Sequence, residues 1–334
     1  MSKLHDSLNQ KLFTNEPDLA ATRAGYGEGL LLAGEANQNI VALSADLVDS
    51  TKTGDFAKKF PDRFFETGIA EQNMAGMAAG LAMGGKIPFI ASYAVFSPGR
   101  NWDQLRVSCA YSDLHVVVVG AHSGLSVGPD GATHQALEDI AMVRALPNTT
   151  IIQPCDSVEA KKATMAAAHL SGVVYLRLTR EPTPVITTES TPFVVGKATV
   201  LRRGTDVTLV ACGPLLFRAL QAAEELEKDG ISAEVINNHT IKPLDDVTLT
   251  ASFRKTGAVV TVEEHQIIGG LHGAIAELAA QELPVPIEPV GMPNKFGESG
   301  EPDQLFEKYG MTVEKIIAAA KRAIDRKDRS KEGK

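Results

Sequence analysis

Apolar runs rich in β-branched residues alternate with longer segments of helical period along almost the whole chain. In the first half, five short apolar runs predict buried strands: Ile40–Ala45, Ile87–Ala91, His115–Gly120, Thr150–Gln153 and Val173–Leu178. A further short strand is predicted at Phe64–Thr67. Four segments between them predict helices: Ala70–Met83, Arg100–Ala110, Leu137–Ala145 and Ser157–His169. Strands that alternate with helices favour a mostly parallel sheet with helices on both faces, because each parallel connection has to cross back over the sheet.

The alternation is interrupted once, at residues 181–192, whose sequence EPTPVITTESTP has no helical period. Proline and threonine at this density are typical of a linker. Four strands and three helices are then predicted: Val207–Ala211, Leu215–Lys228, Ala233–Ile236, Ala258–Val262, Leu271–Gln281, Ile287–Val290 and Val313–Ala323. We therefore predict an α/β fold of two domains, residues 15–185 and 193–326, joined by a linker at residues 186–192.

Composition and charge narrow the class of protein. The net charge of −8 and the absence of a basic face argue against a nucleic-acid partner. No apolar run approaches the ~20 residues needed to span a bilayer, and residues 1–15 lack the apolar core of a signal peptide. The three cysteines are widely spaced without a Cys-x-x-Cys motif, which gives no support to a zinc or redox site. We expect a cytoplasmic protein without membrane contact.

The first stretch with candidate chemistry is residues 64–85, FFETGIAEQNMAGMAAGLAMGG. A strand, a turn at Gly68 and a helix rich in small residues place Glu71 in the first helical turn, at a strand's carboxyl end. Open α/β sheets bind ligands at that edge. A glutamate in a first turn also complements the helix dipole by ~0.3–1 kcal/mol, so Glu71 has a structural as well as a catalytic interpretation.

A long glycine-rich loop is the second candidate, at residues 120–138, GAHSGLSVGPDGATHQALE. It follows a predicted strand and precedes a helix that is expected to begin near Ala136. Loops of this length between strand and helix are often functional. His122, Asp130 and His134 supply hydrogen-bonding groups and a general acid or base near neutral pH. Each histidine taken alone is also compatible with a surface turn.

Aromatic residues gather just after a predicted strand, in SYAVFSPGRNWDQLR at residues 92–106. Tyr93, Phe96 and Trp102 could stack on a flat heterocycle, since aromatic side chains commonly line ligand sites. The same three side chains could equally pack in the core or in an interface.

Four of these motifs, in this order, resemble the transketolase superfamily: LSADLVDS at 43–50, the glutamate-bearing stretch at 64–81, GPDGATHQ at 128–135 and LTRE at 178–181. The second half is also similar, at VEEHQIIGG (262–270) and VGMPNKFGE (290–298). The resemblance covers nearly all residues after 15. It implies a pyrimidine-binding domain followed by a transketolase C-terminal domain.

The resemblance implies that the protein uses thiamine diphosphate. Glu71 would hydrogen-bond the cofactor's aminopyrimidine ring and take part in its proton transfer. Phe96 would stack on that ring, with Tyr93 and Trp102 completing the aromatic cluster. The implied reaction moves a two-carbon ketol unit from a ketose phosphate, with xylulose 5-phosphate as the usual donor, to an aldose phosphate.

The resemblance also implies a set of substrate contacts. Sugar hydroxyl and carbonyl groups would be contacted by Asp46, Asp130 and His134, the last of these as a second catalytic group. The sugar phosphate would be contacted by Ser50, His122 and Arg180. An arginine suits this role because its guanidinium can grip a phosphate with two parallel hydrogen bonds.

One motif of the superfamily is missing from this chain. Relatives hold the diphosphate and a divalent cation with a Gly-Asp-Gly followed further along by an asparagine, and no Gly-Asp-Gly occurs here. The resemblance therefore implies a separate N-terminal transketolase subunit that carries the GDG…N motif and holds Mg²⁺ or another divalent cation. This chain would contribute no metal ligand and would share thiamine diphosphate with its partner. Two copies of each chain would form an α2β2 heterotetramer, with an isologous contact between copies of this one.

Three other interpretations stay open on sequence. The β subunit of a 2-oxo acid dehydrogenase has the same two domains, but it does not typically show GPDGATHQ. A relative of deoxyxylulose-phosphate synthase shares the THQ loop, but there we expect Tyr-Pro-Arg-Gly where this chain has LTRE. The third is a subunit without catalytic activity that binds or regulates a partner.

Overall fold

The structure is a computed structural model that describes residues 4–332. The first strands are β1 (Leu19–Ala20), β2 (Ile40–Ser44), β3 (Phe64–Glu66), β4 (Ile87–Tyr93), β5 (Val116–Ala121), β6 (Thr149–Ile152), β7 (Val173–Arg177) and β8 (Thr183–Pro184). The later strands are β9 (Thr199–Arg202), β10 (Val207–Ala211), β11 (Ala233–Asn237), β12 (Thr240–Lys242), β13 (Val259–Gln266) and β14 (Ile287–Met292). Most strands therefore fall where the apolar runs predict them.

The described part of the chain has eleven α-helices, nine between these strands and two after β14. The first six are α1 (Thr22–Ala36), α2 (Gly54–Lys59), α3 (Glu71–Met83), α4 (Trp102–Gln104), α5 (Asp139–Arg144) and α6 (Ser157–Ala167). The others are α7 (Leu216–Lys228), α8 (Asp246–Thr256), α9 (Leu271–Glu282), α10 (Pro302–Tyr309) and α11 (Val313–Glu332). Among residues 4–332, none of these helices has the length and apolar content that a membrane crossing requires.

The first sheet has seven strands in the order β12-β6-β7-β5-β4-β2-β3. All pairs are parallel except that between β12 and β6. Its central strands are buried on both faces, as the run of four valines in β5 illustrates. Helices cover both faces, which confirms the predicted α/β fold with a mostly parallel sheet.

The second sheet has the order β14-β13-β10-β11-β9, with β9 as its antiparallel edge strand. The two sheets are tied together because β12, which follows β11 along the chain, pairs with β6 of the first sheet. In the opposite direction, Leu8 and Leu12 pack into the apolar core around β10 and α7. These contacts cross the predicted boundary at residues 186–192, and the domain limits stay a prediction.

Several boundaries differ from the predicted ones. The helix predicted over 100–110 begins at Trp102 and continues as a π-helical turn over Leu105–Ala110, where Tyr111 N–H donates to the Arg106 carbonyl. The helix expected near Ala136 begins only at Asp139, because Ala136 still pairs with Ser123 in an isolated bridge. The pattern gave no prediction for α2, α8, α10, β9 or β12. These elements are short or lack an apolar stripe.

The predicted linker is fastened to the first domain. Asp156, at the N-cap of α6, accepts hydrogen bonds from the backbone N–H of Glu159 (2.8 Å), Ile186 (2.8 Å) and Thr187. Lys162 donates to three carbonyls of residues 188–191. Ile186 is fully buried, which gives the segment an apolar anchor as well.

Replacing Asp156 by alanine is expected to lower the free energy of unfolding by roughly 3 kcal/mol. The change removes a helix cap, worth about 1 kcal/mol, and leaves buried N–H groups of the linker without an acceptor. Urea denaturation followed by circular dichroism measures the loss. The exposed Asp62→Ala is the matched control and should change stability by no more than about 0.5 kcal/mol. Equal stability of the two variants would contradict the anchoring role.

Candidate active site

A buried carboxylate stands at the first position of α3. The chain leaves β3, turns at Gly68 with φ of 68°, and enters the helix at Glu71, whose side chain is 4% exposed. Nη1 of Arg100 donates to both carboxylate oxygens of Glu71, at 3.0 and 3.1 Å. Asn101 Nδ2 donates to the Glu71 backbone carbonyl at 3.2 Å, so the segment after β4 is attached directly to the start of α3.

Four rings gather beside this carboxylate, where β4 and β5 end next to each other. Tyr93 and Ala121 are register partners at the ends of these strands, which brings the residues that follow them together. The ring centroids of Tyr93 and His122 are 4.0 Å apart, and those of Tyr93 and Phe96 are 5.9 Å apart, both in stacked arrangements. His134 approaches Phe96 edge-on at 5.4 Å. The sequence motifs at 92–96 and 120–138 thus form one cluster.

Trp102 lies outside this ring cluster. Its indole Nε1 donates to the carbonyl of Met142 at 3.0 Å, near the C-terminal end of α5. Packing against α5 is the structural interpretation that the sequence left open for this side chain. Its predicted contact with the cofactor receives no support from this geometry.

His122 is held in an unusual state. Its backbone has φ of 52°, its side chain is buried, and Nδ1 has no hydrogen-bond partner among the described residues. Burial is the largest cause that lowers its pKa to about 3, and the nearby groups of Arg23, Arg180 and His134 lower the pKa further. His122 is therefore a neutral imidazole at physiological pH, whose buried Nδ1 has no hydrogen-bond partner among the described residues.

Positive charge collects next to His122. Arg180 Nη1 donates to the Val127 carbonyl at 2.9 Å and lies 3.5 Å from a carboxylate oxygen of Asp130. Arg23, in the first turn of α1, donates to the carbonyl of Ser50 at 2.9 Å and to that of Arg180 at 3.1 Å. Arg180 Nε also lies 3.3 Å from a carboxylate oxygen of Glu181, so the charge of the two half-buried guanidinium groups is compensated in part, and a further anion beside them is favourable.

Arg23 is one of two site residues that the sequence prediction missed, the other being Arg100, which pairs with Glu71. A single arginine in a helical first turn has no distinguishing pattern, and its role depends on contacts with residues 27 and 157 positions further along the chain. Burial lowers its pKa, and the charge of Arg180 contributes in the same direction. The two arginines therefore act on each other electrostatically.

Asp46 and His134 complete the predicted set. Asp46 follows β2 with φ of 58°, and its backbone N–H donates to Glu66 Oε1 at 2.7 Å. The residue is exposed at the strand end. His134 Nδ1 lies 2.9 Å from the Thr133 hydroxyl. The loop that carries His134 is packed closely against residues 297–302. A Cβ added at Gly131, for example, would lie 2.5 Å from Ser299 Oγ.

Two domain patterns of one family match the chain in sequence. The transketolase pyrimidine-binding domain matches residues 18–185, and the transketolase C-terminal domain matches residues 196–316. The chain belongs to the transketolase family. This confirms the resemblance carried by the four ordered motifs and agrees with the order of the two sheets.

Similar transketolase proteins include separate subunits. The chain is 42% identical to the 6-deoxy-6-sulfo-D-fructose transketolase subunit of Clostridium sp. (strain MSTE9), over 92% of this chain and 95% of the relative. It is 37% identical to one of the subunits of the apulose-4-phosphate transketolase of Phocaeicola vulgatus, over 91% and 97%. A solved split-gene transketolase, an inactive β4 tetramer, matches with a TM-score of 0.87 and 46% identity, over 92% and 99%.

Single-chain transketolases are about twice as long. The structure of transketolase from Leishmania mexicana matches with a TM-score of 0.80 and 26% identity, over 95% of this chain but only 47% of that protein. The chain thus corresponds to the C-terminal subunit of a split transketolase.

The residues present suit the pyrimidine half of thiamine diphosphate, the cofactor that the family domains imply. A flat heterocycle with ring nitrogens needs an aromatic face and a carboxylate beside it, and Phe96 and the buried Glu71 supply these. Nδ1 of His122 is a further buried polar atom without a partner among the described residues, in the ring that stacks on Tyr93. Among residues 4–332, no group of three or more His, Cys, Asp or Glu side chains is placed to hold a metal ion.

His122 is expected to make the folded chain less stable in acid. Its lowered pKa contributes stability that is fully present above the unfolded value of about 6.5 and is lost as pH falls towards 3. Between pH 7 and pH 5, His122→Gln should therefore lose about 2 kcal/mol less unfolding free energy than wild type.

Urea denaturation at the two pH values measures this difference. His239 and His265 are buried with pKa values lowered to about 4, so they leave a pH dependence that both proteins share. The exposed His169→Gln serves as the control and should follow wild type. An identical pH dependence for wild type and His122→Gln would contradict a neutral buried His122.

Proposed function

We propose that this chain is the C-terminal subunit of a two-chain transketolase that transfers a two-carbon ketol unit between sugar phosphates. The observation that carries the proposal is that one flat group, the Arg100 guanidinium, reaches both the ring of Phe96, at 4.0 Å from its centre, and the buried Glu71 carboxylate. The relatives named as transketolase subunits favour this function over the 2-oxo acid dehydrogenase and deoxyxylulose-phosphate synthase interpretations.

Glu71 is proposed to bind the edge of the aminopyrimidine ring and to exchange a proton with a ring nitrogen. Phe96 provides the face on which the ring lies, and Tyr93 supports Phe96 from behind through its stacked contact. When bound, thiamine diphosphate supplies a nucleophilic carbon and an electron sink for breaking the carbon–carbon bond of the ketose. The role of this chain is to hold the pyrimidine and set its protonation, because the low exposure of Glu71 excludes water from that contact.

The sugar phosphate is proposed to lie along the charged edge of the site. Arg180 and Arg23 face the phosphate, with Ser50 and the neutral His122 as hydrogen-bonding neighbours. An anion placed there offsets the repulsion between the two guanidinium groups, which gives the arrangement its affinity.

Three further groups are proposed to contact the sugar chain itself. Asp46 and Asp130 present exposed carboxylates to hydroxyl groups, and His134 presents its imidazole towards the carbonyl region beside Phe96. His134 can pass a proton because its half-buried ring keeps access to the substrate side.

Xylulose 5-phosphate is the proposed donor, but the contacts of Arg23 and Arg180 with an acidic group are compatible with other sugars as well. One relative is named for 6-deoxy-6-sulfo-D-fructose and another for apulose 4-phosphate. Sulfonate and phosphate are both tetrahedral anions, so the same pair of arginines suits either. The acidic group on the sugar is thus the feature that the site selects, and the carbon chain is selected by the residues around it.

A partner subunit is proposed to bring the divalent cation and the diphosphate contacts. Copies of this chain are proposed to meet across the outer face of α3, to give an α2β2 heterotetramer. A Cβ added at Gly76 or Gly80 would have nothing within 4 Å, and Met83, seven and three residues further along the same helix, is 77% exposed. An exposed apolar face with small residues suits close packing of a second helix.

Purified alone, this chain is expected neither to retain thiamine diphosphate nor to transfer ketol groups. Mixed with a partner chain that carries the GDG…N motif, it should form a 2:2 complex that does both, since each chain holds only part of the site. Size-exclusion chromatography, cofactor content and a coupled transketolase assay measure the three properties. A robust ketol transfer by the isolated chain would sink the two-chain proposal.

Arg180→Ala in the assembled enzyme is expected to lower kcat/KM for phosphorylated sugars by roughly 10- to 100-fold. A charge-assisted hydrogen bond contributes about 1.5–3 kcal/mol, and each 1.4 kcal/mol corresponds to a factor of ten. A donor without phosphate should be affected much less. The exposed Arg203→Ala is the control. An equal loss for both donors would show that Arg180 does not act on the phosphate.

A further inference from the structure

Arg100 occupies the place where the aminopyrimidine ring is proposed to bind. Its guanidinium carbon lies 4.0 Å from the centre of the Phe96 ring, and Nη1 donates to both oxygens of Glu71. A guanidinium is flat and carries N–H donors along its edge. The guanidinium therefore makes the two contacts proposed for the ring, a stack on Phe96 and a hydrogen bond to Glu71. The guanidinium and the ring cannot occupy this place at the same time.

The ion pair is asymmetric in exposure. The Glu71 side chain is 4% exposed, whereas that of Arg100 is 48% exposed. The backbone around Arg100 is fixed, because its N–H donates to the Phe96 carbonyl at 2.8 Å and its carbonyl accepts from Gln72 Nε2 at 3.3 Å. Only the long side chain is free to leave, and it can do so without moving Glu71.

Space for the displaced side chain lies next to it. A surface cavity of about 540 Å³ is lined by residues 69–73 and by Arg100 itself. A guanidinium that moves into this cavity regains water, which hydrates it well. Glu71 also lines this cavity, but its side chain is only 4% exposed, so Arg100, at 48%, is the member of the pair with access to water.

The ion pair also has a physical purpose when no ring is present. A buried carboxylate without a partner is strongly destabilising, because it has lost its water without gaining a compensating contact. Arg100 removes this penalty and keeps Glu71 in the orientation that the ring requires. Its own exposed position makes the contact weak enough to be exchanged.

We propose that Arg100 is a displaceable substitute for the aminopyrimidine ring, which covers Phe96 and neutralises Glu71 until the cofactor enters and displaces it. This inference rests on the proposed function of Glu71 and Phe96. The blocking has a thermodynamic consequence. The apparent affinity for the cofactor equals the intrinsic affinity multiplied by the fraction of time in which Arg100 leaves the site unblocked. If Arg100 fills the site nine-tenths of the time, its removal tightens cofactor binding about tenfold.

The test compares wild type with Arg100→Ala in the assembled two-chain enzyme with Mg²⁺. Melting temperatures are measured without thiamine diphosphate and at saturation, and the Kd is measured by calorimetric titration. Arg100→Ala should lower the melting temperature of the cofactor-free enzyme by a few degrees, leave that of the saturated enzyme unchanged, and tighten the Kd about tenfold. An equal loss of stability in both states, or a weaker Kd, would mean that Arg100 is a permanent structural partner of Glu71.

Two further variants make the result decisive. Arg100→Lys is the fallback if the alanine variant does not assemble. It keeps the charge but loses the flat guanidinium, so it should tighten cofactor binding to a smaller extent than Arg100→Ala. A weaker Kd for the lysine variant would overturn the proposal. The exposed Arg254→Ala, on α8, is the control and should leave both melting temperatures and the Kd at their wild-type values.

Glu71→Gln separates a failure of this inference from a failure of the proposed function. If Glu71→Gln binds thiamine diphosphate as tightly as wild type, the pyrimidine contact itself is wrong, and the role of Arg100 is wrong with it. If Glu71→Gln weakens binding while Arg100→Ala is equally destabilising with and without cofactor, only the role of Arg100 is wrong.

Discussion

The carboxyl ends of the parallel strands β2, β3, β4, β5 and β7 meet along one edge of the first sheet. Each strand delivers a different chemical group there, and the groups come from parts of the chain more than 100 residues apart. The parallel register is what brings them together, because it places every loop that follows a strand on the same side. A carboxylate, a ring face, a neutral imidazole and a pair of guanidinium groups are therefore neighbours without any local motif that joins them.

The second domain contributes to this edge although its own strands lie elsewhere. The glycine-rich loop keeps its shape because residues 297–302 fill the space beside Gly128 and Gly131. Gln135 reinforces the contact by donating to the carbonyls of Leu125 and Glu298. The pairing of β12 with β6 prevents the two sheets from separating. The C-terminal domain thus supports the shape of the site, while the first domain provides its charges and rings.

Charge in the site is balanced in different ways at its two ends. Glu71 is neutralised by Arg100 from within the same chain, and that pair is poised for exchange because one member is exposed. At the other end, the charges of Arg23 and Arg180 are compensated only in part. Both arginines donate to backbone carbonyls, and Arg180 lies 3.5 Å from Asp130 and 3.3 Å from Glu181. The first end suits a flat ring with a proton to exchange, and the second suits a mobile anionic group.

The sequence by itself determined the alternation of strands and helices, the order of the motifs, and the position of Glu71 at the start of a helix. These follow from local patterns, namely burial on both faces of a parallel strand and small residues along one helix. Only the tertiary structure decided that Trp102 turns towards Met142, that Arg23 joins Ser50 to Arg180, and that Arg100 covers Phe96. Each of these contacts depends on which side chains long-range packing brings together, and the local sequence around a residue does not specify that.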